Sequence, residues 1–508
     1  MDISKYFSNM ELDNSVNQPL YLQIADHIAV GVKNKILPAG CKLPPERDLA
    51  KYFAVSRTTA INAYRHLEQR GLVTIKVGSG TYVTTLTGNS IETALPSMPW
   101  EQLFIPHLKT PLSSILRSLI SNTNTDDIIS LAAGMPDPAL YPTDCFTNLF
   151  NSKLSQLENS NFGHIPTEGY QPLRHSIAQM ETGKGIPATM DNILILAGSQ
   201  QGLYLISKVL IEPGDYVVLE SPTYIGAIQV FQAAGARILC LPPEEQFPFA
   251  LMEDYLIRYR PKLFYTIPTF ANPTGRVMPL NERQELLRLA APHRLIIVED
   301  DPYGELFYDE QPPASLKSLD NYGGVLYLNT FSKILFPGLR TGWLVGPPEV
   351  INRLAQEKQY VDLHCNNLTQ WLLHMYLQDG NIDSHLSLVR QEYKKRRDAM
   401  VSSIRRFCKN KLTFNLPDGG FYLWCKIEHD IASQALLHEA AKTGVSFVPG
   451  NAFYTNQAGS DEIRLCFATH SPAILSEGIK RLARALTIFP QKPKNEASTD
   501  LVAGRPII

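Results

Sequence analysis

The sequence has few cysteines, no long apolar run and almost no net charge. Its seven cysteines include no CxxC pair, so we expect neither a disulfide framework nor a metal site. No uninterrupted apolar stretch approaches the ~20 residues that a membrane-spanning helix needs. The residues from Met1 to Leu12 mix Asp, Lys, Asn and Glu and lack the apolar core of a secretory signal. These absences predict a cytoplasmic protein with reduced, mostly buried thiols and no membrane contact.

Charged residues are also scarce, at 19% of the chain, while 44% of residues are hydrophobic. This composition suits a large buried core and excludes disorder over most of the chain. At about 150 residues per domain, the length suggests roughly three domains. The formal net charge of −2, taken alone, argues against a nucleic-acid-binding protein.

The average charge hides a basic amino-terminal segment. From Pro19 to Thr85 there are nine positive and four negative residues, so this segment has a charge of +5 and the remainder −7. Such asymmetry is typical of a protein that binds a polyanion. A solvated charged surface would give the same count, so the pattern of residues has to separate the two interpretations.

That pattern favours a winged helix-turn-helix. Apolar residues recur every four positions in a first helix, a short helix begins after Pro45, and Ser56 is placed to cap the next one. Two short helices joined by a tight turn have helix-turn-helix geometry. A hairpin with Gly78 in its turn follows as the wing. The apolar residues of the first and third helices are Leu20, Ile24, Ile28, Val32, Ala60, Ala63, Tyr64 and Leu67.

Residues 17–85 resemble the DNA-binding domain of GntR-family transcription regulators. The similar strings are PLYLQIADHI, KLPPERDLAKYFAVSRTTAINAYRHLEQRGLV and GSGTYV. The resemblance implies binding to double-stranded DNA, and the residues that it places near DNA are Arg47, Arg57, Thr58, Thr59 and Gly78. Ile61 stands where relatives often have another Arg, so the bases that the helix reads stay open. Lys76 and Arg65 are equally consistent with solvated surface charges.

A linker is expected at residues 86–127, because four prolines interrupt this region and only Leu112 to Ile120 has the pattern of a helix. So long a stretch without regular structure is unusual inside a compact domain. Residues 490–508 are polar and predict a loosely ordered tail.

Residues 128–489 alternate short apolar strands with helical segments, which predicts an α/β fold with a buried, mostly parallel sheet. In such sheets ligands bind beyond the carboxyl ends of the strands, and polar residues follow several strands at that point. We therefore interpret these polar residues as one site. The predicted strands are 192–197, 215–220, 237–241, 262–267, 294–298, 325–329 and 342–345.

The residue types at these strand ends suit pyridoxal phosphate (PLP). A lysine amine forms a Schiff base with the PLP aldehyde, a carboxylate holds the pyridinium nitrogen, and a phosphate needs backbone amides and cations. Asp300 would stay anionic against the ring nitrogen, Tyr303 and Asn272 would reach the ring oxygen, and Tyr224 would stack on the ring. The expected phosphate-binding residues are Ser199, Gln200, Thr330, Ser332 and Arg340. A packing role for Thr330 is the alternative.

These strings resemble fold-type I aminotransferases, which have a large lobe with a mostly parallel sheet and a smaller α+β carboxyl-terminal lobe. The similar motifs are GSQQGL, SPTY, ANPTG, VEDDPYGEL, NTFSKILFPGLRTGW and IRLCFA, in the family's order. The resemblance implies that Lys333 is the catalytic Schiff-base lysine and that Arg464 binds the carboxylate of a substrate or effector. One residue departs from the pattern: many relatives place a Tyr from the other subunit near the phosphate, where this chain has Phe162.

The order of winged helix, linker and aminotransferase-like domain resembles the MocR-like subgroup of GntR regulators. That resemblance implies a PLP-dependent bacterial transcription regulator, a head-to-tail homodimer, and a large domain that senses an amine, an amino acid or PLP. An active aminotransferase that carries a DNA-binding module is a second hypothesis. A domain that only dimerises and never binds PLP is a third. The sequence does not identify the effector, the operator, or whether the protein activates or represses.

Overall fold

The computed structural model describes residues 18–76, 79–84, 127–157, 163–242, 246–428, 431–456 and 458–489, together with residues 6, 7, 10, 12, 13, 16 and 98. The predicted helix Leu112–Ile120, nearly all of the predicted linker and the predicted tail lie outside these residues, as do Gly78 and Phe162. Contacts within the chain divide it into two units, Met1–Pro106 and His107–Ile508. No helix in the described part of the chain is long and apolar enough to cross a membrane.

The first unit has the predicted winged helix-turn-helix fold. Helices α1 (Leu20–Lys33), α2 (Glu46–Tyr52) and α3 (Arg57–Gln69) precede the antiparallel strands β1 (Val73–Lys76) and β2 (Gly80–Val83). Ala54, in the turn between α2 and α3, has a φ of 51°, which makes the turn tight. The predicted apolar residues of α1 and α3, except the half-buried Leu20 at the start of α1, form the core of the unit with Leu49, Phe53 and Val73.

The second unit is built on a seven-stranded sheet in the order β4-β10-β9-β8-β7-β5-β6. The strand bounds are β4 Ile193–Leu196, β5 Tyr216–Glu220, β6 Arg237–Leu241, β7 Leu263–Thr266, β8 Ile296–Asp300, β9 Val325–Thr330 and β10 Gly342–Val345. Six strands run in one direction, while β10 is antiparallel to both of its neighbours, β4 and β9. Strands β4, β7, β9 and β10 are buried along their whole length, which explains why they read as continuous apolar runs.

Helices cover both faces of this sheet and continue into a smaller lobe. They are α4 Thr143–Lys153, α5 Gln171–Gly183, α6 Ser199–Leu210, α7 Ile225–Ala233, α8 Phe249–Arg258, α9 Leu280–Ala290, α10 Leu316–Leu319, α11 Phe331–Ile334, α12 Pro348–Lys358, α13 Asn367–Gln378, α14 Asn381–Phe407, α15 Ser433–Lys442 and α16 Pro472–Ile488. Short 3-10 turns stand at 138–140, 154–156, 190–192, 337–339, 409–411 and 450–453.

The smaller lobe contains an antiparallel sheet in the order β11-β12-β15-β14, with helices α14 to α16 packed around it. Its strands are β11 Leu412–Phe414, β12 Tyr422–Ile427, β14 Val448–Pro449 and β15 Glu462–Cys466. A separate parallel pair joins β3 (Ile129–Ser130) to β13 (Val445–Ser446). The chain that follows the predicted linker is therefore bound to the smaller lobe.

The predicted fold class is confirmed. The bounds of β6 and β10 match the prediction, and those of the other five strands differ from it by at most two residues. The largest difference is at β8, which begins at Ile296 rather than Arg294 and extends through Asp300. Arg294 has a φ of 52° and its amide bonds the carbonyl of Ala291, so it belongs to the preceding turn.

Candidate functional site

The amino end of α3 is exposed and positively charged. Ser56 caps the helix by accepting a hydrogen bond from the Thr59 amide at 3.1 Å, as predicted. Arg57 is 58% exposed and its guanidinium lies 3.1 Å from the Glu46 carboxylate, at the start of α2. This ion pair holds Arg57 beside the helix terminus, where free backbone amides also favour an anion.

Thr58 and Thr59 lie in the first turn of α3, and Arg47 lies in α2 beside Glu46, the ion-pair partner of Arg57. Arg47 and Thr58 are exposed, and the Thr59 hydroxyl lies 2.8 Å from the Ser56 hydroxyl. Lys76 is exposed in β1, with its ammonium 5.5 Å from the centre of the Tyr82 ring. Four of the five predicted residues thus share one surface region, and the fifth, Gly78, lies outside the described residues.

In the second unit, the predicted polar residues meet at the carboxyl edge of the large sheet. Ser199 follows β4, Tyr224 follows β5, Asn272 follows β7, Asp300 ends β8 and Lys333 follows β9. Since neighbouring strands bring these ends together, the five residues line one region, in agreement with their placement from sequence.

Asp300 is buried and only half of its carboxylate has a partner. The Tyr265 hydroxyl donates to Oδ2 at 2.9 Å, whereas Oδ1 has no hydrogen-bond partner among the described residues. Burial, with a smaller contribution from the neighbouring Asp301, raises the Asp300 pKa to about 7, although the Tyr265 hydrogen bond and the Lys333 charge lower it. A positively charged partner at Oδ1 would therefore stabilise the anionic Asp300 that the sequence predicts.

Lys333 lies in α11 with its ammonium 2.7 Å from the backbone carbonyl of Gly134. Burial, together with the nearby Arg464 and Arg340, lowers the pKa of Lys333 to about 8, although Cys466 and Asp300 raise it. The amine is therefore partly neutral near physiological pH, which is the form that attacks a carbonyl carbon.

The turn between β4 and α6 places backbone amides beside a guanidinium. Gly198 has a φ of 128°, a conformation that favours glycine, and it leads into the amino end of α6 at Ser199 and Gln200. A Cβ built on Gly198 would lie 3.3 Å from Arg340 Nη2, so the guanidinium sits directly over this turn. The Tyr224 hydroxyl donates to Gln200 Oε1 at 3.1 Å, which links the predicted stacking ring to the same turn.

Thr330 and Ser332 are buried and bonded to the protein itself. Thr330 caps α11 by accepting from the Ser332 amide at 3.1 Å, and its hydroxyl lies 3.1 Å from the carbonyl of Thr341. The Thr330 and Ser332 hydroxyls are 3.0 Å apart. These contacts fit the packing alternative for Thr330, and they fix the backbone of Lys333 and the Ser332 hydroxyl.

Arg464 extends from β15 into the same region. Its Nη1 donates to Asn272 Oδ1 and its Nη2 to the carbonyl of Ala132, both at 2.8 Å, while Nε is buried without a partner among the described residues. The Tyr422 and Phe453 rings lie 4.1 and 4.9 Å from the guanidinium carbon. A carboxylate would therefore approach Arg464 along its plane, since rings cover its faces.

Several residues of the site were not predicted from the sequence. Tyr265, which bonds Asp300, and Tyr422, which bonds Tyr303 at 3.0 Å, stand within apolar strands that are typical of core. Ala132 and Gly134 take part through backbone carbonyls, which no side-chain pattern reveals. The neighbouring string DGGFY, two glycines before an aromatic pair, was the one signal available for Tyr422.

The site residues fit PLP by an observation independent of motifs. A buried carboxylate oxygen without a donor, on Asp300, is costly in an apolar environment and is satisfied by a protonated ring nitrogen. The Gly198 turn and Arg340 provide amides and a cation for a phosphate. The Lys333 amine faces the same region, because the charges of both Asp300 and Arg340 act on its pKa.

Comparison with known families assigns both units. Residues 126–482 match the family model for aminotransferase class I and II, and residues 20–83 match the model for bacterial regulatory proteins of the gntR family.

Individual relatives fall into two groups. The uncharacterized HTH-type transcriptional regulator YisV of Bacillus subtilis is 36% identical over 92% of this chain and 95% of its own length. The aromatic-amino-acid aminotransferase 1 of Thermococcus litoralis is also 36% identical, over 77% of this chain and 95% of its own. One similar solved structure is LysN, the alpha-aminoadipate aminotransferase of Thermus thermophilus, in complex with N-(5'-phosphopyridoxyl)-L-leucine. The match covers 76% of this chain and 98% of the LysN chain, with a TM-score of 0.70 and 36% sequence identity.

Proposed function

The chain belongs to the aminotransferase class I and II family and has a gntR-family domain at its amino end, in the MocR-like arrangement, and we propose the following function for it. It is a PLP-dependent transcriptional regulator that binds DNA through its first unit. The second unit, by this proposal, senses an amine, an amino acid or PLP itself and changes the DNA affinity of the first.

When bound, PLP supplies an electron-withdrawing ring and a carbonyl group that reacts with amines. The proposal gives each site residue a task. Asp300 pairs with the ring nitrogen, Tyr303 and Asn272 contact the ring oxygen, and Tyr224 stacks on the ring. The phosphate is held by Ser199, Gln200, Ser332 and Arg340, while Thr330 positions the Ser332 hydroxyl. The amine that reacts is that of Lys333, and Arg464 binds an effector carboxylate.

The sensing proposal rests on two hydrogen bonds that residues 127–137 accept from the site. This segment directly follows the predicted linker, and its carbonyls at Ala132 and Gly134 accept hydrogen bonds from Arg464 and Lys333. A carboxylate on Arg464 or a reacted Lys333 amine competes with those two bonds. Occupation of the site would therefore change how the segment is held, and a ligand shifts a conformational equilibrium through such differences in contact.

An ion pair and two further hydrogen bonds attach the segment to the smaller lobe. Asp137 forms a buried ion pair with Arg396 at 2.6 Å, Cys466 donates its amide to the Leu131 carbonyl at 2.7 Å, and the Thr469 hydroxyl lies 3.0 Å from the Ala133 carbonyl.

The test measures DNA affinity of the purified full chain by fluorescence anisotropy on the DNA upstream of its own gene. PLP and then a panel of amino acids and amines are added. We expect at least one addition to change the dissociation constant by about fivefold or more, the usual range of allosteric coupling. Lys333→Ala should abolish the response. An affinity that is indifferent to every addition would refute the sensing proposal while leaving DNA binding intact.

Aminotransferase activity is the second candidate, because Lys333 has a pKa of about 8 and is suited to moving a proton. Steady turnover of an amino acid with a keto acid would favour it. A reaction that stops after one equivalent of amino acid per site would favour the regulator.

We further propose a homodimer that acts in the cytoplasm, where its DNA is. The loop after α12 supports the dimer, since Tyr360 is 86% exposed and Val361 and Leu363 are about half exposed. A group of exposed large apolar side chains is typical of a surface that another chain covers. Light scattering after size exclusion tests this, and a monomeric mass at micromolar concentration would contradict it.

A further inference from the structure

Tyr422, the first residue of β12, lies at the centre of the candidate site although the proposed function assigns it no task. It is only 3% exposed. In the register of β12 with β15, Tyr422 pairs with Cys466 and Trp424 with Arg464, so the Tyr422 and Arg464 side chains lie on one face of the sheet. The Tyr422 ring covers the guanidinium at 4.1 Å.

The Tyr422 hydroxyl contacts the residue that the proposed function places on the cofactor's ring oxygen. Tyr422 Oη lies 3.0 Å from Tyr303 Oη, and both side chains are buried. Their rings stand edge to face at 82° and 5.7 Å between centres, which fixes the two hydroxyls against each other. A Cβ on Gly134 would overlap the Tyr422 hydroxyl, so the chain leaves room for this oxygen by having glycine there.

The direction of this hydrogen bond follows from proton counting. Either tyrosine is able to donate to the other, but each has a single hydroxyl proton. If Tyr303 donates its proton to the ring oxygen, it has none left for Tyr422. Tyr422 must then be the donor in the bond between them.

We propose that Tyr422 is a positioning residue for PLP: its hydroxyl donates to Tyr303, so that the Tyr303 proton is directed at the ring oxygen. This inference rests on the proposed function of Tyr303. A hydroxyl that accepts one hydrogen bond becomes a better donor in the next, so Tyr422 strengthens the Tyr303 contact as well as orienting it. Because the Tyr422 ring also covers Arg464, one side chain contacts both the ring-oxygen residue and the carboxylate-binding residue.

The test uses Tyr422→Phe, which keeps the ring on Arg464 and removes only the hydroxyl. A weaker hydrogen bond leaves more negative charge on the ring oxygen and raises the proton affinity of neighbouring cofactor groups. In the full chain loaded with PLP, we expect the pH midpoint of the visible absorption band to rise by about one pH unit. We also expect the PLP dissociation constant, from equilibrium dialysis, to rise about fivefold.

Two further variants make the result specific. Tyr322→Phe is the matched control, since Tyr322 donates to the Leu295 carbonyl at 2.8 Å, next to the amino end of β8 and away from Asp300. It should leave the band and the PLP affinity unchanged. In a Tyr303→Phe background, Tyr422→Phe should add little, because residues that act through one another are not additive.

The outcomes separate this inference from the proposed function. A wild-type chain that forms no visible band with PLP would overturn the proposed function itself. A normal wild-type band with an unchanged midpoint and PLP affinity in Tyr422→Phe would overturn only the role of Tyr422. Full additivity with Tyr303→Phe would also overturn it, because the hydroxyl would then act on a different partner.

Discussion

Tyr265 donates its hydroxyl proton to Asp300 Oδ2 at 2.9 Å, while Asp300 Oδ1 is buried without a partner among the described residues. One half of this carboxylate is thus satisfied by the protein and the other half is available to a ligand. Buried polar atoms without partners destabilise a fold, and they are concentrated at functional sites. The chain alone is therefore less stable than it would be without the Asp300 charge.

Asp300→Asn should stabilise the cofactor-free chain at pH 8. The folded Asp300 pKa of about 7 is above the unfolded value near 4, so the group supports folding below pH 4 and loses that contribution as pH rises through 7. We expect the variant to exceed wild type by about 4 kcal/mol at pH 8 and to match it near pH 4. Urea unfolding at both pH values measures this. If the free energy of unfolding changed equally with pH in the two proteins, Asp300 would not titrate near pH 7.

The same substitution should weaken PLP binding, because an amide oxygen pairs poorly with a charged ring nitrogen. We expect roughly a tenfold higher dissociation constant, since a hydrogen bond to a charged group contributes about 1.5–3 kcal/mol. A variant that is stabler without cofactor and binds it less well would place Asp300 in the ligand site rather than in the core.

Lys333 should react with PLP at a lower pH than an ordinary lysine. Its pKa of about 8, lowered mainly by burial, means that the neutral amine predominates above pH 8. The rate at which the visible band appears after mixing should rise up to about pH 8 and level off above it. Stopped-flow absorbance from pH 6 to 10 tests this, with Lys333→Ala as the blank. A rate that keeps rising through pH 10 would mean that the amine is solvated.

Arg57→Ala should weaken DNA binding and reduce its dependence on salt. Loss of one phosphate contact lowers the slope of log affinity against log salt by about 0.9. Stability should hardly change, because the exposed Arg57–Glu46 pair contributes at most about 1 kcal/mol. Anisotropy titrations on a random-sequence duplex at several salt concentrations give the slope.

Arg70→Ala is the matched control for Arg57→Ala. Arg70 follows the carboxyl end of α3 and pairs with Asp26 at 2.7 Å, so the variant removes one exposed charge from the opposite end of the same helix. We expect a slope close to that of wild type. If both variants lowered the salt slope by the same amount, the effect would come from overall charge and not from a DNA contact at the start of α3.

The sequence was sufficient for residues whose role depends on local pattern. Ser56 precedes a helix with the right apolar spacing, and Asp300 ends a buried strand, so both were placed correctly from neighbouring residues alone. Tyr422 and Tyr265 were missed because an aromatic residue in an apolar strand is usually core, and only tertiary contacts bring their hydroxyls to Tyr303 and Asp300. The pairing of Arg57 with Glu46 likewise depends on how α2 crosses α3.

Gly134→Ala should test the 127–137 segment, because a Cβ there would overlap the Tyr422 hydroxyl. The backbone has to move, and the hydrogen bond from Lys333 to the Gly134 carbonyl changes with it. We expect weaker PLP binding, by about tenfold, and a smaller change in DNA affinity when PLP or an effector is added. Gly183→Ala is the control, since no atom lies within 4 Å of a Cβ at the end of α5, and it should leave both quantities unchanged. If Gly134→Ala weakened PLP binding but preserved the full DNA response per bound PLP, the segment would belong to the cofactor site without taking part in communication with the DNA-binding unit.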